Sequence, residues 1–307
     1  MKGKVLFVAC TPVARYMMEE IISNPEIFSS VEICGIVNLN STQAINKANY
    51  DSYFDLSIKH NIPIFYCDNI NDAESVEFIK DKKPDIIIQS GWSQKFGNEL
   101  LKLPKYACIG EHPAPLPRGR GAACVNWAIL TGEKSWGDTF FKMEEKYDEG
   151  VIYAQAFFDI EIKDDVKTVY DKVSFASGKI IKENIIDWCR GIFKTIEQDE
   201  SLVTYYKRRK PDDGLFDFSM PLMETYNHIR AQARPYPGSF FMLDAMKYYV
   251  WKAALTDIEA NEKYGTLIGC SNSGGLLVTC ADRKVIELLR EQKENSPEQW
   301  GAELYKS

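Results

Sequence analysis

The sequence predicts an α/β fold: a Rossmann-like, mostly parallel sheet followed by a smaller β-rich C-terminal domain. Three observations carry that expectation. Over the first hundred residues, short β-rich runs alternate with helical patterns, as in a parallel sheet with crossover helices. A polar, charged seam, "EQDESLVTYYKRRKPDDG" (197–214), then breaks the alternation. Beyond it come one helical pattern and several short apolar runs bounded by Gly, Asn, Ser and Asp, the punctuation of a small β-barrel or sheet. The expected domains are therefore 1–200 and 201–307.

In chain order, "KVLFVAC" reads as a buried strand. Thr11 is a good N-cap and Pro12 a good first helical residue, and Ala14, Met17, Met18, Ile21 and Ile22 fall on one helical face. "VEICGIVN" (31–38), "IPIFYC" (62–67) and "PDIIIQSG" (84–91) read as further strands. A small-residue helix at about 121–131 follows, then a strand pair in "TFFKME" and "VIYAQAFF", then a long amphipathic helix from about Asp165 to Trp188. The tail contributes a helix in "MPLMETYNHIRAQA", the turn "RPYPG", and strands in "SFFML", "KYYVWKA", "GTLIGC" and "LLVTCA".

Composition narrows the function classes. Of 307 residues, 45% are hydrophobic and 26% charged, as in soluble globular proteins. No apolar run approaches the ~18 residues of a membrane span. The apolar stretch Val5 to Cys10 is too short for a signal peptide and leads into a helix, so a cytoplasmic location is expected. Eight cysteines without a CxxC pair or Cys/His cluster read as reduced core residues, with no metal site. A formal charge of −7 disfavours a nucleic-acid partner, whose phosphates call for clustered Lys and Arg.

Ligands of open α/β sheets bind beyond the carboxyl ends of the strands, here the loops Ala9 to Val13, Ser90 to Phe96 and Gly110 to Gly121. The turn "ACTPVAR" has no glycine fingerprint, which argues against a dinucleotide. In "GEHPAPLPRGRGAACVNW" (110–127), His112 follows the strand "YACIG" and would stand at the sheet edge, either as a proton-handling group or as a structural histidine. "PAPLPR" also matches a PxxP ligand, but it is enclosed between a strand and a helix. Asp148, in "EEKYDEGV", is either a solvated turn residue or the carboxylate that orients His112.

The stretch "HPAPLPRGRGAACVNWAILTGE…TFFKMEEKYDEGVIYAQ" resembles the signature of folate-dependent formyltransferases. This family includes glycinamide ribonucleotide, methionyl-tRNA and sugar-nucleotide N-formyltransferases. The similarity continues through "RRKPDDGLFDFSMPLMETYNHIRAQARPYPGSF" and so covers most of the chain. It implies that His112 and Asp148 are catalytic and that 10-formyltetrahydrofolate is the formyl donor. The implied folate-binding residues are Trp92, Ser93, Gln94 and Phe96 in one loop and Glu145 and Tyr147, within Glu144 to Tyr147, in another.

The sequence departs from the pattern at one point. Where the family has an asparagine two residues before the histidine, as a donor to the formyl oxygen, this chain has Gly110. Losing one such donor typically costs ~2.7 to 4 kcal/mol in the transition state. Gln89, Ser90 and Asn126 are candidate replacements, and Arg118 and Arg120 are candidate phosphate ligands. The resemblance is nearest to the branch that formylates nucleotide-linked amino sugars. Residues 252–307 hold seven Lys or Arg against nine Asp or Glu, which argues against tRNA. A methionyl-tRNA formyltransferase, or a folate- or nucleotide-binding relative with little activity, are the alternatives. Monomer and homodimer are both compatible with the sequence.

Overall fold

The computed structural model describes residues 2–45, 47–293, 295 and 299–300. The chain divides into two compact units. The first comprises Met1–Cys124, Ser135–Asp159 and Tyr170–Lys207, and the second Val125–Lys134, Ile160–Val169 and Arg208–Ser307.

The first unit is built on a seven-stranded sheet. Its strands are β1 (Gly3–Ala9), β2 (Val31–Leu39), β3 (Ile64–Cys67), β4 (Ile86–Ser90) and β5 (Ala107–His112), then β7 (Ser135–Lys142) and β8 (Ile152–Asp159). A short β6 (Arg120–Gly121) pairs with β9 (Tyr205–Tyr206) outside that sheet. The spatial order is β3-β2-β1-β4-β5-β7-β8. The first five strands run parallel, and β7 and β8 are antiparallel additions. The order reverses at β1, so the crevice beyond β1 and β4 is the switch point at which such sheets bind ligands.

The sequence pattern explains the layers. Val5, Leu6, Phe7, Val8 and Ala9 of β1 are all fully buried, as a strand covered on both faces requires. The helix Pro12–Ser23 buries Val13, Ala14, Met17, Met18 and Ile21. Each large apolar side chain buried in this way contributes roughly 1.5–3 kcal/mol. Thr11 sits at the N-cap as predicted, but its hydroxyl makes no cap bond. Instead the buried Tyr53 hydroxyl accepts from the Thr11 N–H and donates to the Thr11 carbonyl, each at 2.6 Å. The helix expected at 121–131 spans Cys124–Leu130, and the long helix spans Val166–Trp188.

In the second unit, helix Leu222–Ala231 is followed by an antiparallel sheet ordered β10-β11-β14-β13-β12, with β15 pairing β14. The strands are β10 (Ser239–Leu243), β11 (Met246–Glu259), β12 (Leu267–Cys270), β13 (Leu276–Thr279), β14 (Lys284–Lys293) and β15 (Gln299–Trp300). Two features differ from the sequence reading. The run "KYYVWKA" is part of a much longer strand, and "KVIELLREQK" is a strand that was not expected at all. Its charged residues disguise it, although Val285, Ile286 and Leu288 are fully buried. Ile286 and Leu288 pack in this unit's core with Phe216, Leu222, Ile229 and Val250.

All eight cysteines are free, and all but Cys270 are buried. Among the described residues no helix is long and apolar enough to cross a membrane, and no group of His, Cys, Asp or Glu could hold a metal ion.

Candidate active site

His112 is the last residue of β5, which runs two residues beyond the expected end at Gly110, and it pairs with Thr139 of β7. The residues after it are fastened to the sheet. Thr139 Oγ1 donates to the Ala114 carbonyl at 2.6 Å and accepts from the Leu116 N–H at 3.1 Å. Gln155 Nε2 donates to the Leu116 carbonyl at 2.7 Å, and Trp136 Nε1 to the Pro113 carbonyl at 2.8 Å. A PxxP docking segment must offer an extended, accessible backbone. Here Ala114, Pro115 and Leu116 are buried, which removes that reading.

The His112 ring is held by its surroundings. Nε2 lies 2.7 Å from the Gly119 carbonyl oxygen, an atom that only accepts, so Nε2 carries a hydrogen. Cys124 Sγ lies 3.3 Å from the same nitrogen and donates to the Gly119 carbonyl at 3.1 Å. Nδ1 faces Asp148 Oδ1 at 3.9 Å, too far for a tight hydrogen bond. Burial opposes the charged ring. The Cys124 and Asp148 partners, with the Cys124 and Gly119 hydrogen bonds, outweigh burial, and the imidazole stays protonated well above the ordinary histidine range. The proton that titrates is therefore the one on Nδ1, facing Asp148.

Asp148 adopts a left-handed backbone conformation (φ 59°), which Asp tolerates better than most residues. Its Oδ2 accepts from the Gly121 N–H at 2.9 Å. Two residues on, Gly150 has no room for a side chain, since a Cβ there would lie 1.8 Å from the Lys142 carbonyl oxygen. Gln198 fixes this turn by donating to the Asp148 carbonyl at 2.7 Å and the Gly150 carbonyl at 2.8 Å.

Gln198 is held in turn by Arg120, and this corrects the phosphate role expected for that arginine. Arg120 Nε and Nη2 donate to Gln198 Oε1 at 3.1 and 2.8 Å, Nη2 bridges to Glu200 Oε1 at 2.6 Å, and Nη1 reaches Tyr205. The side chain is fully buried and its fork is committed to protein partners, so it supports the Asp148 turn. Arg118, by contrast, is exposed and lies over the Trp136 ring, 5.9 Å from its centroid.

At Gly110 the place of a side chain is taken. A Cβ there would meet Phe141 Cε1 and Cζ, both at 2.7 Å, and Met143 Cγ at 3.3 Å. Phe141 is buried with Leu116 and Ile152. Of the candidate replacements, Ser90 donates to Glu111 Oε2 at 2.6 Å, and Gln89 donates to the Trp92 carbonyl at 2.8 Å. Asn126 is buried in the second unit, where its amide donates to the Ala231 carbonyl at 2.7 Å.

The two loops expected to bind folate meet through Lys95, whose ammonium lies 5.8 Å from the centroid of the exposed Tyr147 ring. Phe96 and Trp92 are buried in the core of the first unit, so neither ring is free to cover a ligand face. The Trp92 indole N–H, however, is buried without a hydrogen-bond partner. Gln94 is a staple between loops, accepting from the Ile70 N–H at 2.8 Å and donating to the Asp68 carbonyl at 2.6 Å. Ser93 and Glu145 are exposed.

Sequence reasoning missed Cys124, Gln198 and a buried acidic pair, Glu111 and Asp138. The signal for the pair was present in single acidic residues inside otherwise apolar strands, "ACIGEH" and "SWGDTFFK". Gln198 carried no signal, because it lies in the polar seam.

Residues 36–185 match the formyl transferase family, and residues 208–307 match the formyl transferase C-terminal domain. The chain belongs to the formyl transferase family. Among its relatives, the bifunctional polymyxin resistance protein ArnA of Wigglesworthia glossinidia brevipalpis is 31% identical over 261 residues. That match covers 85% of this chain and 39% of ArnA, so the chain spans well under half of that relative's length. The methionyl-tRNA formyltransferase of Bacillus subtilis (strain 168) is 34% identical over 232 residues, 73% of each chain. An N-formyltransferase from Helicobacter canadensis, solved with folinic acid and dTDP-3-aminofucose, shares the fold with a TM-score of 0.69 at 18% identity. The match covers 95% of this chain and 100% of that one.

The formyl transferase family implies a folate-derived donor, and one feature of this chain fits such a group. The orphaned Trp92 N–H stands in the loop that follows β4, at the switch point of the sheet.

Proposed function

We propose that this formyl transferase moves the formyl group of 10-formyltetrahydrofolate to the amine of a nucleotide-linked amino sugar. The observation that carries the reading is the His112 ring, anchored at Nε2 by Gly119 and facing Asp148 with Nδ1 at the carboxyl edge of the sheet. The donor, when bound, supplies an electrophilic formyl carbon whose oxygen gains negative charge under attack by the amine.

The roles of the residues follow from their protonation. Protonated His112 donates a charge-assisted hydrogen bond from Nδ1 to that oxygen. Such bonds are roughly twice as strong as neutral ones, and this one offsets the asparagine amide that Gly110 lacks. Asp148 balances the imidazolium and would accept the proton the amine releases, directly or through water, while His112 would give a proton to the folate nitrogen as its bond to the formyl carbon breaks. The loop of Trp92, Ser93, Gln94 and Phe96 and the segment containing Glu145 and Tyr147 hold the folate mainly through their backbone, with the Trp92 N–H as one donor. The exposed Arg118 is the remaining candidate for a nucleotide phosphate.

We read residues 1–200 as the catalytic domain and 201–307 as its C-terminal companion, in a cytoplasmic enzyme. The acidic balance of the chain, pI near 5.2, supports a small nucleotide-sugar acceptor over tRNA. The Bacillus subtilis relative keeps methionyl-tRNA as the second reading. Offering the enzyme dTDP-, UDP- and GDP-linked amino sugars beside methionyl-tRNA, and following folate release, separates the two. Turnover with methionyl-tRNA alone would replace the first reading with the second.

A further inference from the structure

Directly behind His112, on the opposite face of the sheet, two acidic side chains are buried against each other. Consecutive strand residues point to opposite faces, so Glu111 leaves β5 on the side away from His112. Glu111 pairs with Phe140 of β7, and Asp138, two residues before Phe140, shares that face. Their carboxyl groups are within hydrogen-bond reach of each other. Asp138 is fully buried and Glu111 is 6% exposed.

The outer oxygens of the two groups are satisfied. Ser90 of β4 donates to Glu111 Oε2 at 2.6 Å, and Ser177 of the helix Val166–Trp188 donates to Asp138 Oδ2. Among the described residues the inner oxygens, Glu111 Oε1 and Asp138 Oδ1, are buried and receive no hydrogen bond. Two ionised carboxylates cannot share such a site, and two buried acceptors without a hydrogen cannot bond. One proton between them satisfies both oxygens and leaves a single negative charge. His112, the neighbour of Glu111 in β5, is the cationic group that acts on both carboxyl groups.

We propose that Glu111 and Asp138 share one proton and act together as a buried monoanion that keeps His112 charged from behind the strand, while Asp148 does so from the front. Both are positioning residues, because they act through His112 and do not reach the reacting atoms. Burial drives both carboxyl groups toward the protonated form, consistent with a pair that keeps a proton at neutral pH. The importance of His112 for the rate rests on the proposed function, but its charge state can be read without any turnover.

The test is an NMR titration of the His112 imidazole, assigned among the three histidines with a His112→Gln variant. Glu111→Gln and Asp138→Asn each replace the shared proton by an amide N–H and retain one negative charge. Each should titrate close to wild type. The double variant Glu111→Gln/Asp138→Asn removes the charge, and its His112 midpoint should fall by on the order of one pH unit. If the double variant does not fold, Glu111→Leu/Asp138→Val makes the same charge change in an apolar form, an exchange that buried polar groups often tolerate. An unchanged midpoint in the charge-free variant overturns the proposal. So does a single variant that shifts as far as the double, since the two carboxyl groups would then not hold one charge between them.

Discussion

The ring of Phe141 fills the space into which a side chain at Gly110 would project. A Cβ on Gly110 would stand 2.7 Å from two of its carbons, and the ring is packed against Leu116 and Ile152, so it cannot easily move aside. Overpacking a filled core typically costs 1–3 kcal/mol. Gly110→Ala is therefore expected to destabilise the protein by about 1–3 kcal/mol, and Gly110→Asn by at least as much. Adding Phe141→Ala to Gly110→Asn should recover part of the loss. Urea unfolding of the three variants checks this, and a Gly110→Asn protein as stable as wild type would show that the pocket is open.

Arg120 and Gln198 form one support for the Asp148 turn, so losing either should have the same effect. Misplacing a catalytic group by about 1 Å can cost on the order of 100-fold in rate. Gln198→Ala and Arg120→Lys are each expected to lower kcat by about 10- to 100-fold with little change in KM for the acceptor, and the double variant should be no worse than either single one. A rise in acceptor KM confined to Arg120→Lys would return that arginine to a substrate phosphate.

His228, in the second unit, gives a pH dependence of known sign. Burial and the nearby Arg209 guanidinium push its pKa down to about 4. The unfolded chain, with an ordinary histidine near 6.5, binds the proton first as pH falls. The contribution is thus complete above about pH 6.5 and is lost as pH drops toward 4, up to about 3 kcal/mol in all. Melting curves between those pH values should slope for wild type and flatten for His228→Gln. Equal slopes would assign the acid sensitivity to other groups.

Much of the fold was legible because its signals are local. The buried run of β1, the Thr11-Pro12 helix start and the Asp165 to Trp188 periodicity each depend on neighbouring residues only. Strand β14 was missed because its apolar residues are separated by Lys, Glu and Arg, and only the tertiary fold decides that Ile286 and Leu288 face the core. At the site, His112 and Asp148 could be placed by motif, and the structure brings them together. The function of Arg120 could not be read in advance. An arginine in a glycine-rich loop looks like an anion ligand until Gln198 and Glu200, some eighty residues later in the chain, are seen to occupy it. Glu111 and Asp138 each stand out as a lone acid in an apolar strand, but that they form a pair is decided only where the sheet joins the two strands.

The proposed reaction is formyl transfer to a sugar amine by a site built on His112 and Asp148. Its most direct test follows a 13C-labelled formyl group from 10-formyltetrahydrofolate in the presence of a nucleotide-linked amino sugar. The label is expected to appear as a sugar formamide, folate release to depend on the acceptor, and His112→Ala and Asp148→Asn to lose most of the rate while remaining folded. Label released as free formate at the same rate with or without any acceptor would contradict it, and would identify a hydrolase in place of a transferase.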